Sequence, residues 1–182
     1  EMNQQAQYKQ MQWKNGQGTT SEIAQDGSAS PLWRLSTAPI KTAGHFSIFP
    51  GFDRWLAVWK GPGLLLNSKK LDPFKPVLFS GDIPTQCELV GDEEVLDIGL
   101  IFNREKIKAI MNYAALFKAD NNLFQSSTGA IHFLFCAEGR LEIKGQQALP
   151  GDTFKIQDEK FSLHTPDPSS QYFHFSISPK KL

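Results

Sequence analysis

Short runs in which apolar and polar residues alternate recur along the chain, and turn-forming Gly and Pro residues separate them. Alternation with a period of two is the pattern of half-buried strands. The predicted strands lie within residues 8–15, 31–40, 53–60, 62–67, 75–81, 85–91, 94–103, 131–139, 140–145, 152–157 and 172–178. Many short strands between turns are typical of sandwiches and barrels, so the pattern predicts an all-β protein.

One segment, residues 103–121, fits two structures. Its residues Ile107, Ile110, Met111 and Ala114 fall near the spacing of one helical face, which would give a helix of about four turns. The same residues could form a pair of strands that bridges two halves of the chain. Periodicity slightly favours the helix, and the choice stays open here.

An internal repeat indicates two similar halves. Leu56 precedes Gly61 by five residues and Leu134 precedes Gly139 by five, and each glycine is followed by another apolar strand. A Gly-Asp pair comes later in each half, at 81–82 and 151–152. Gly takes the positive φ that a tight hairpin needs, and Gly-Asp turns the chain into the next strand.

The second copy, EGRLEIKGQQALPGDTFKI (138–156), resembles the cupin pattern. The resemblance implies a double-stranded β-helix, or jelly roll, and two copies imply a bicupin with two barrels packed in one chain. We expect the first barrel over residues 1–105 and the second over 106–182, with strands exchanged between the halves.

Charge and cysteine content narrow the function. Nineteen Lys and Arg residues balance nineteen Asp and Glu residues, whereas nucleic-acid binders concentrate positive charge, so we expect no nucleic-acid partner. No apolar run is long enough for a membrane span, so we expect no membrane association. Cys87 and Cys136 lie in apolar strand-like runs and are expected to be reduced core residues of a cytoplasmic protein.

The cupin resemblance raises metal binding, which the sequence does not support. Metal-bearing cupins present an H-x-H pair, a nearby Glu and a later His, which together form a facial site. The strand at 53–60 has no His; His132 stands alone, and His164 is out of register. We therefore expect no metal and no other cofactor. We also expect no catalytic nucleophile, because no G-x-S-x-G elbow is present.

A set of polar residues in the first half remains as a candidate binding site. It comprises Asn15, Thr19, Thr20 and Glu22 in WKNGQGTTSEIA, Arg34 and Ser36 in WRLSTA, and Asp53 and Arg54 in FSIFPGFDRW. Arg34 and Ser36 fall on the same face of a strand, and alternate residues of a barrel strand face inward. An inward guanidinium needs a carboxylate partner or a bound anion. An internal salt bridge of Arg34 or Arg54 with Asp53 or Glu22 is the alternative.

These segments resemble the HutD/Ves family. The resemblance covers about residues 11–105 and is carried by W-K-N-G-Q-G-T-T-S-E and F-S-I-F-P-G-F-D-R, while the remainder resembles a generic cupin. The family tends to have D-x-N-x-M before a late arginine. Here the stretch is Asp97-Ile98-Gly99-Leu100-Ile101, so the Asn is lost while Arg104 remains and joins the candidate ligand-binding residues. The resemblance favours strand for residues 103–121.

The resemblance implies a non-catalytic binding or regulatory protein connected with histidine utilisation or a stress response. A small carboxylate-bearing metabolite, formate or one like formylglutamate, would be held by Arg34 and Arg54. The alternative is a metal-independent isomerase or hydrolase that uses Glu22 or Asp53 as general base. Cupin sheets often pair at their edges, so the resemblance allows a homodimer that the sequence itself does not indicate.

Overall fold

The computed structural model describes residues 1–13, 16–125 and 129–181. Over these residues the chain forms strands and a single short 3-10 helix, Gln5–Gln7, with no α-helix. The all-β prediction is confirmed. The strands are β1 Met2–Asn3, β2 Lys9–Gln12, β3 Thr19–Gln25, β4 Trp33–Ile40, β5 Gly44–His45, β6 Phe52–Lys60, β7 Leu64–Leu66, β8 Lys69–Leu71, β9 Val77–Ser80, β10 Gln86–Leu89, β11 Val95–Asn103, β12 Ile107–Phe117, β13 Asn122–Gln125, β14 Ile131–Glu138, β15 Leu141–Ile143, β16 Gln146–Ala148, β17 Thr153–Gln157, β18 Lys160–Leu163 and β19 Ser169–Pro179.

The strands fall into two compact units. Residues 9–107 form the first unit, and residues 1–8 together with those from 108 onward form the second. The prediction placed residues 1–8 in the first barrel. In the structure, β1 instead pairs antiparallel with β17, far away in sequence, so that this short N-terminal segment completes a sheet of the second unit.

The first unit contains two sheets whose strands pair antiparallel throughout. The larger has the order β2-β3-β4-β11-β6-β9, and the smaller has the order β5-β10-β7-β8. An apolar cluster joins the two sheets and contains Leu56 and Val58 from β6 together with Leu64 and Cys87 from the smaller sheet. The face of the larger sheet that carries these side chains is called the inner face below.

The second unit is built around the five-stranded sheet β1-β17-β14-β19-β12, with the two-stranded ribbons β13-β18 and β15-β16. Its core cluster combines Leu134 and Phe154 from the sheet with Leu141 and Phe161 from the ribbons. Burying these apolar side chains between layers is the main favourable term for folding.

The ambiguous segment 103–121 forms strand β12 at the edge of the five-stranded sheet. Ile107 and Met111 are buried, whereas Ile110, which the helical spacing places on the same face, is 40% exposed. The helix that periodicity favoured is therefore wrong, and the strand implied by the family resemblance is correct. Pairing with β19 decided the outcome, because local spacing is a weaker constraint than a tertiary pairing.

The internal repeat is visible in the order of the strands. Gly61 follows β6 and Gly139 follows β14, and both have positive φ, as a tight hairpin requires. At each glycine a Cβ atom would also come within 2.8 Å of a backbone oxygen. The two Gly-Asp pairs are less alike than predicted, because Gly81 follows β9 while Gly151 precedes β17.

Tyr8 anchors the N-terminal segment in the second unit. Its side chain is 6% exposed, and its hydroxyl lies 2.7 Å from the carbonyl oxygen of Gly151 and 2.7 Å from the hydroxyl of Thr153, which is fully buried. We expect Tyr8→Phe to lower the free energy of unfolding by about 1–2 kcal/mol, because the carbonyl oxygen of Gly151 loses a donor and the buried hydroxyl of Thr153 loses a partner. Urea unfolding measures this change.

Tyr113→Phe is the matched control for that measurement. The Tyr113 side chain is 37% exposed and its hydroxyl contacts Gln171 at the surface. Water can replace this contact, so a change near zero is expected. Equal losses in the two variants would contradict the anchoring role of Tyr8.

Candidate functional site

Two arginines meet on the inner face of the first unit. Ile101 on the central strand β11 lies directly across from Arg34 on β4 and from Arg54 on β6. Residues directly opposite in neighbouring strands point to the same face. Because Leu56 and Val58 of β6 enter the apolar cluster, alternation places Arg54, and with it Arg34, on the inner face.

Aromatic rings enclose the guanidinium group of Arg54. Its Cζ atom lies 4.5 Å from the ring centroid of Phe46, 5.6 Å from that of Phe79 and 5.7 Å from that of Phe49. Its Nη1 atom donates a hydrogen bond of 3.2 Å to the carbonyl oxygen of Ser47. The rings attract the cation and fix its orientation, so the group is held in place before any ligand arrives.

The surroundings of Arg54 oppose its charge. Burial is the main effect that lowers the pKa of Arg54 to about 10. The negative charge of Asp97 raises this pKa, and the positive charge of Arg34 lowers it. The group still carries a full positive charge at neutral pH. Two cations therefore share one partly buried region, which is unfavourable unless an anion joins them.

Arg34 has less support than Arg54. Its Cζ atom lies 6.0 Å from the ring centroid of Phe49, and its Nε atom is buried without a hydrogen-bond partner. Among the residues that the structure describes, no carboxylate comes within ion-pair distance of its guanidinium group. A half-buried cation in this state costs free energy that a bound anion would recover.

Asp97 lies on the same inner face, where β11 is irregular. The pairing with β6 shifts between Leu96 and Asp97, and Oδ1 of Asp97 accepts a 2.9 Å hydrogen bond from the backbone N–H of Ala38. The backbone oxygen of Asp97 accepts from the indole of Trp59 at 3.0 Å and from the hydroxyl of Thr37. The carboxylate thus accepts a backbone N–H of β4, while the β-bulge lies in the pairing with β6.

The environment of Asp97 makes its charge costly. Burial raises the pKa of Asp97 to about 7, while the hydrogen bond from Ala38 and the positive charge of Arg54 act in the opposite direction. A carboxylate in this state changes its protonation near neutral pH. Such a perturbed acid beside cationic side chains is typical of functional sites.

The inner face divides into a filled apolar end and a polar end that solvent reaches. Leu56 and Val58 are 2% and 0% exposed, whereas Ser36, Gly99 and Ile101 are only half-buried, as are Arg34, Arg54 and Asp97. Gly99 sits across from Ser36 on one side and Leu56 on the other. A Cβ atom at Gly99 would lie 3.2 Å from the carbonyl oxygen of Trp55 and 3.4 Å from Cδ1 of Leu56, so β6 packs closely against this glycine.

The other residues predicted for the site, on or just before β3, lie in different surroundings. Glu22 lies across from Ser36 and therefore faces the same side as Arg34. The hydroxyl of Thr20 accepts a 2.8 Å hydrogen bond from the indole of Trp13, and Thr19 lies across from Gln12. Asn15 lies outside the described residues.

Asp53 and Arg104 form a different cluster. Asp53 neighbours Arg54 in β6, so its side chain points to the opposite face of the sheet. Nε of Arg104 donates to Asp53 over 2.9 Å, and Nη2 donates to the carbonyl oxygen of Phe52 and contacts Asp82. The structure therefore brings Asp53 to Arg104 and away from the two inner arginines.

Sequence reasoning missed Asp97 and the three phenylalanines as site residues. A signal for Asp97 was present, since it is a charged residue inside the otherwise apolar run VLDIGLIF (95–102). Phe46 and Phe49 lie within the F-S-I-F-P-G-F-D-R string that carries the family resemblance. Phe79 gave no signal, because its place beside Arg54 depends on the pairing of β9 with β6.

The second unit has a buried pair of histidines on its own interior. His132 Nδ1 lies 2.8 Å from His174 Nε2, and His132 Nε2 is buried without a hydrogen-bond partner. His132 and Arg54 each lie seven residues before a hairpin glycine, Gly139 and Gly61. Burial lowers the pKa of His132, and burial together with His132 lowers the pKa of His174 to about 4.

A surface cleft with a volume of about 470 Å³ also lies in the second unit, lined by residues that include Lys144, Lys160, Phe161 and His164. It opens widely to solvent, and Lys144 is ion-paired with Glu159. Within the described part of the chain, no three His, Cys, Asp or Glu side chains are grouped so that they could hold a metal ion. The two inner arginines therefore remain the strongest candidate site.

None of the described residues belongs to a helix with the length and apolar character that a membrane span requires.

The comparisons with known proteins agree with the family resemblance. The HutD family model matches residues 5–173. An uncharacterised 21.2 kDa protein in the hutC 3′ region of Pseudomonas putida is 34% identical over 144 residues, 75% of this chain and 73% of that protein. Protein Ves of Citrobacter koseri is 30% identical over 109 residues, 56% of this chain and 57% of Ves.

Solved structures show the same fold. HutD from Pseudomonas fluorescens SBW25 has a TM-score of 0.85 at 24% identity and covers 100% of this chain and 99% of its own. YhhW from Escherichia coli has a TM-score of 0.72 at 11% identity and covers 100% of this chain and 99% of its own. At these identities the likeness establishes an all-β, cupin-like fold and nothing about ligands.

We expect the histidine pair to make the second unit sensitive to acid. Both pKa values lie below the ordinary 6.5, so the unfolded chain binds protons first as the pH falls. Stability should therefore be lost from about pH 6.5 down through about pH 4, by on the order of 2–3 kcal/mol. His174→Gln should reduce this loss, as measured by urea unfolding across that range.

His45→Gln serves as the control, since His45 is exposed on β5. It should show the same loss of stability with acid as the wild type. If His174→Gln also follows the wild-type curve, the histidine pair does not cause the acid sensitivity.

Proposed function

Because this chain belongs to the HutD family, we propose that it is a non-catalytic binding or regulatory protein whose first unit takes up a small carboxylate-bearing metabolite. One observation carries the proposal: the half-buried guanidinium group of Arg34 has a buried Nε atom without a partner. The second guanidinium, on Arg54, is already oriented by its aromatic rings on the same face.

A carboxylate fits this arrangement in charge and in geometry. Guanidinium and carboxylate groups form paired, charge-assisted hydrogen bonds that fix the orientation of a ligand. The ligand would neutralise the repulsion between Arg34 and Arg54, and the hydroxyl of Ser36 would offer a neutral contact nearby.

The relatives point to the chemistry of the ligand. A similar protein is encoded in the hutC 3′ region, which connects the family with histidine utilisation, and the solved HutD from P. fluorescens is described in a formate condition. Formate and compounds like formylglutamate are therefore the ligands that we propose. The likeness to Ves leaves a role in a stress response as an alternative setting.

We propose further that each unit is a cupin-like barrel, so that the chain is a bicupin, and that the protein works in the cytoplasm and forms a homodimer. The paired strand order of β6 to β8 and β14 to β16 supports the bicupin assignment. An enzyme with Asp53 as general base gains little support, because Asp53 is paired with Arg104 on the opposite face. Glu22, the other candidate general base, lies on the inner face together with the two arginines.

Replacing Arg34 tests the binding function. We expect calorimetric titration of the wild type with formate and with formylglutamate to give a saturable signal for at least one of them. Arg34→Met should weaken that binding by about tenfold to a hundredfold, the worth of a charge-assisted hydrogen bond to a carboxylate. Binding that survives unchanged would contradict the proposal.

The control is Arg140→Met, which removes an equally long cation from the second unit. Arg140 is ion-paired with Asp167 near the surface. Its loss should leave the titration unchanged, which separates a local effect at Arg34 from a general effect of the charge of the protein.

Arg34→Met should also stabilise the protein when no ligand is present. Met keeps the apolar length of Arg34 and removes a partly buried cation that has no ion-pair partner among the described residues. We expect the free energy of unfolding to rise by about 1 kcal/mol, as when buried charges are exchanged for apolar groups. Urea unfolding in ligand-free buffer measures it, and a clear loss of stability would show that Arg34 has a structural partner.

A further inference from the structure

We infer that Asp97 belongs to the binding site and takes up a proton when a carboxylate binds between Arg34 and Arg54. This inference rests on the proposed function of the same site and adds a coupling between ligand and proton.

The position of Asp97 supports this coupling. It lies on the inner face of β11, two positions from Gly99 and four from Ile101, the residue that separates the two arginines. Only its Oδ1 atom has a hydrogen-bond partner among the described residues, the N–H of Ala38. This leaves Oδ2 as the oxygen that can take up the proton.

Two charged or titratable groups act on Asp97 directly, Arg54 on β6 and Cys87 on β10. Arg34 on β4 and Glu22 on β3 lie on the same inner face, whereas Glu88 and His45 occupy outward positions of the smaller sheet. Burial raises the pKa of Cys87 to about 12, so it remains a neutral thiol. Arg54 stays charged at neutral pH, which leaves Asp97 as the inner-face group that we expect to titrate near pH 7.

A bound carboxylate changes the balance at Asp97. The positive charge of Arg54 favours the ionised form of Asp97 and partly offsets the cost of burial. A bound anion neutralises that positive charge and adds a negative charge nearby, and both changes favour the protonated form. Asp97 then carries an O–H group that can donate to an acceptor oxygen of the ligand.

The sign of the pH dependence follows from linkage. In the free protein the pKa of Asp97 is about 7, and the ligand raises it, so the complex binds more protons than the free protein. Affinity should therefore increase as the pH falls from 8 to 6, by about fivefold to tenfold. Formate and formylglutamate keep their charge over this range, so the change belongs to the protein.

The experiment is calorimetric titration of the full chain with formate and with formylglutamate at pH 6, 7 and 8, in two buffers with different ionisation enthalpies. A heat that depends on the buffer reports the number of protons exchanged. We expect uptake of about half a proton at pH 7 and more at pH 8. This readout uses the wild type alone and does not depend on the folding of a variant.

Asp97→Asn is the variant that removes the titration. Its side-chain oxygen can still accept the hydrogen bond from the backbone N–H of Ala38, so this contact between β11 and β4 is kept. Its affinity should be independent of pH and its heat independent of the buffer. Glu88→Gln, a carboxylate on the outward side of β10, is the control and should keep the wild-type proton uptake.

The outcomes separate the two proposals. Binding with proton uptake that Asp97→Asn abolishes supports the inference. Binding without proton exchange, or with an unchanged pH dependence in Asp97→Asn, overturns the inference and leaves the binding function intact. If neither ligand binds the wild type at any of the three pH values, the proposed function itself fails and the coupling fails with it.

Discussion

Two guanidinium groups on one inner sheet face are the constraint on which the rest of the first unit depends. A cation that is partly removed from water is costly, and a second cation beside it adds to the cost. The fold compensates at Arg54 with three aromatic rings and a carbonyl oxygen. It offers Arg34 one ring at a greater distance and leaves its Nε atom without a partner. This asymmetry is what a preorganised anion site requires, because one cation is fixed and the other has spare donors.

The bulge in β11 connects the architecture to this site. The register of β11 shifts against β6 between Leu96 and Asp97, whereas its pairing with β4 continues without a shift. Beside the bulge, the side chain of Asp97 accepts the N–H of Ala38 and its backbone oxygen accepts from the indole of Trp59. The residue beside the bulge is therefore also the carboxylate whose pKa burial raises to about 7. One side chain combines a structural hydrogen bond with the role in binding that we propose for it.

The second unit shows how a repeated strand order can carry different chemistry. His132 stands at the place in the repeat that Arg54 occupies in the first unit, yet it meets another imidazole and an apolar core. A neutral pair of histidines tolerates burial at the pH where guanidinium groups cannot lose their charge. The same position thus carries a histidine pair with lowered pKa values in one unit and, in the other, an arginine of the anion site that we propose.

The sequence by itself determined the strands, the hairpin glycines and the shared face of Arg34 and Ser36, because these follow from local conformation and a period of two. Only the tertiary structure decided that residues 107–117 form an edge strand, that Asp53 pairs with Arg104, and that Phe79 and Asp97 join the site. Each of these depends on which strands pair and in which register. Strand pairing is decided between segments that are distant in sequence. Alternation within a single segment carries no information about which other strand it will pair with.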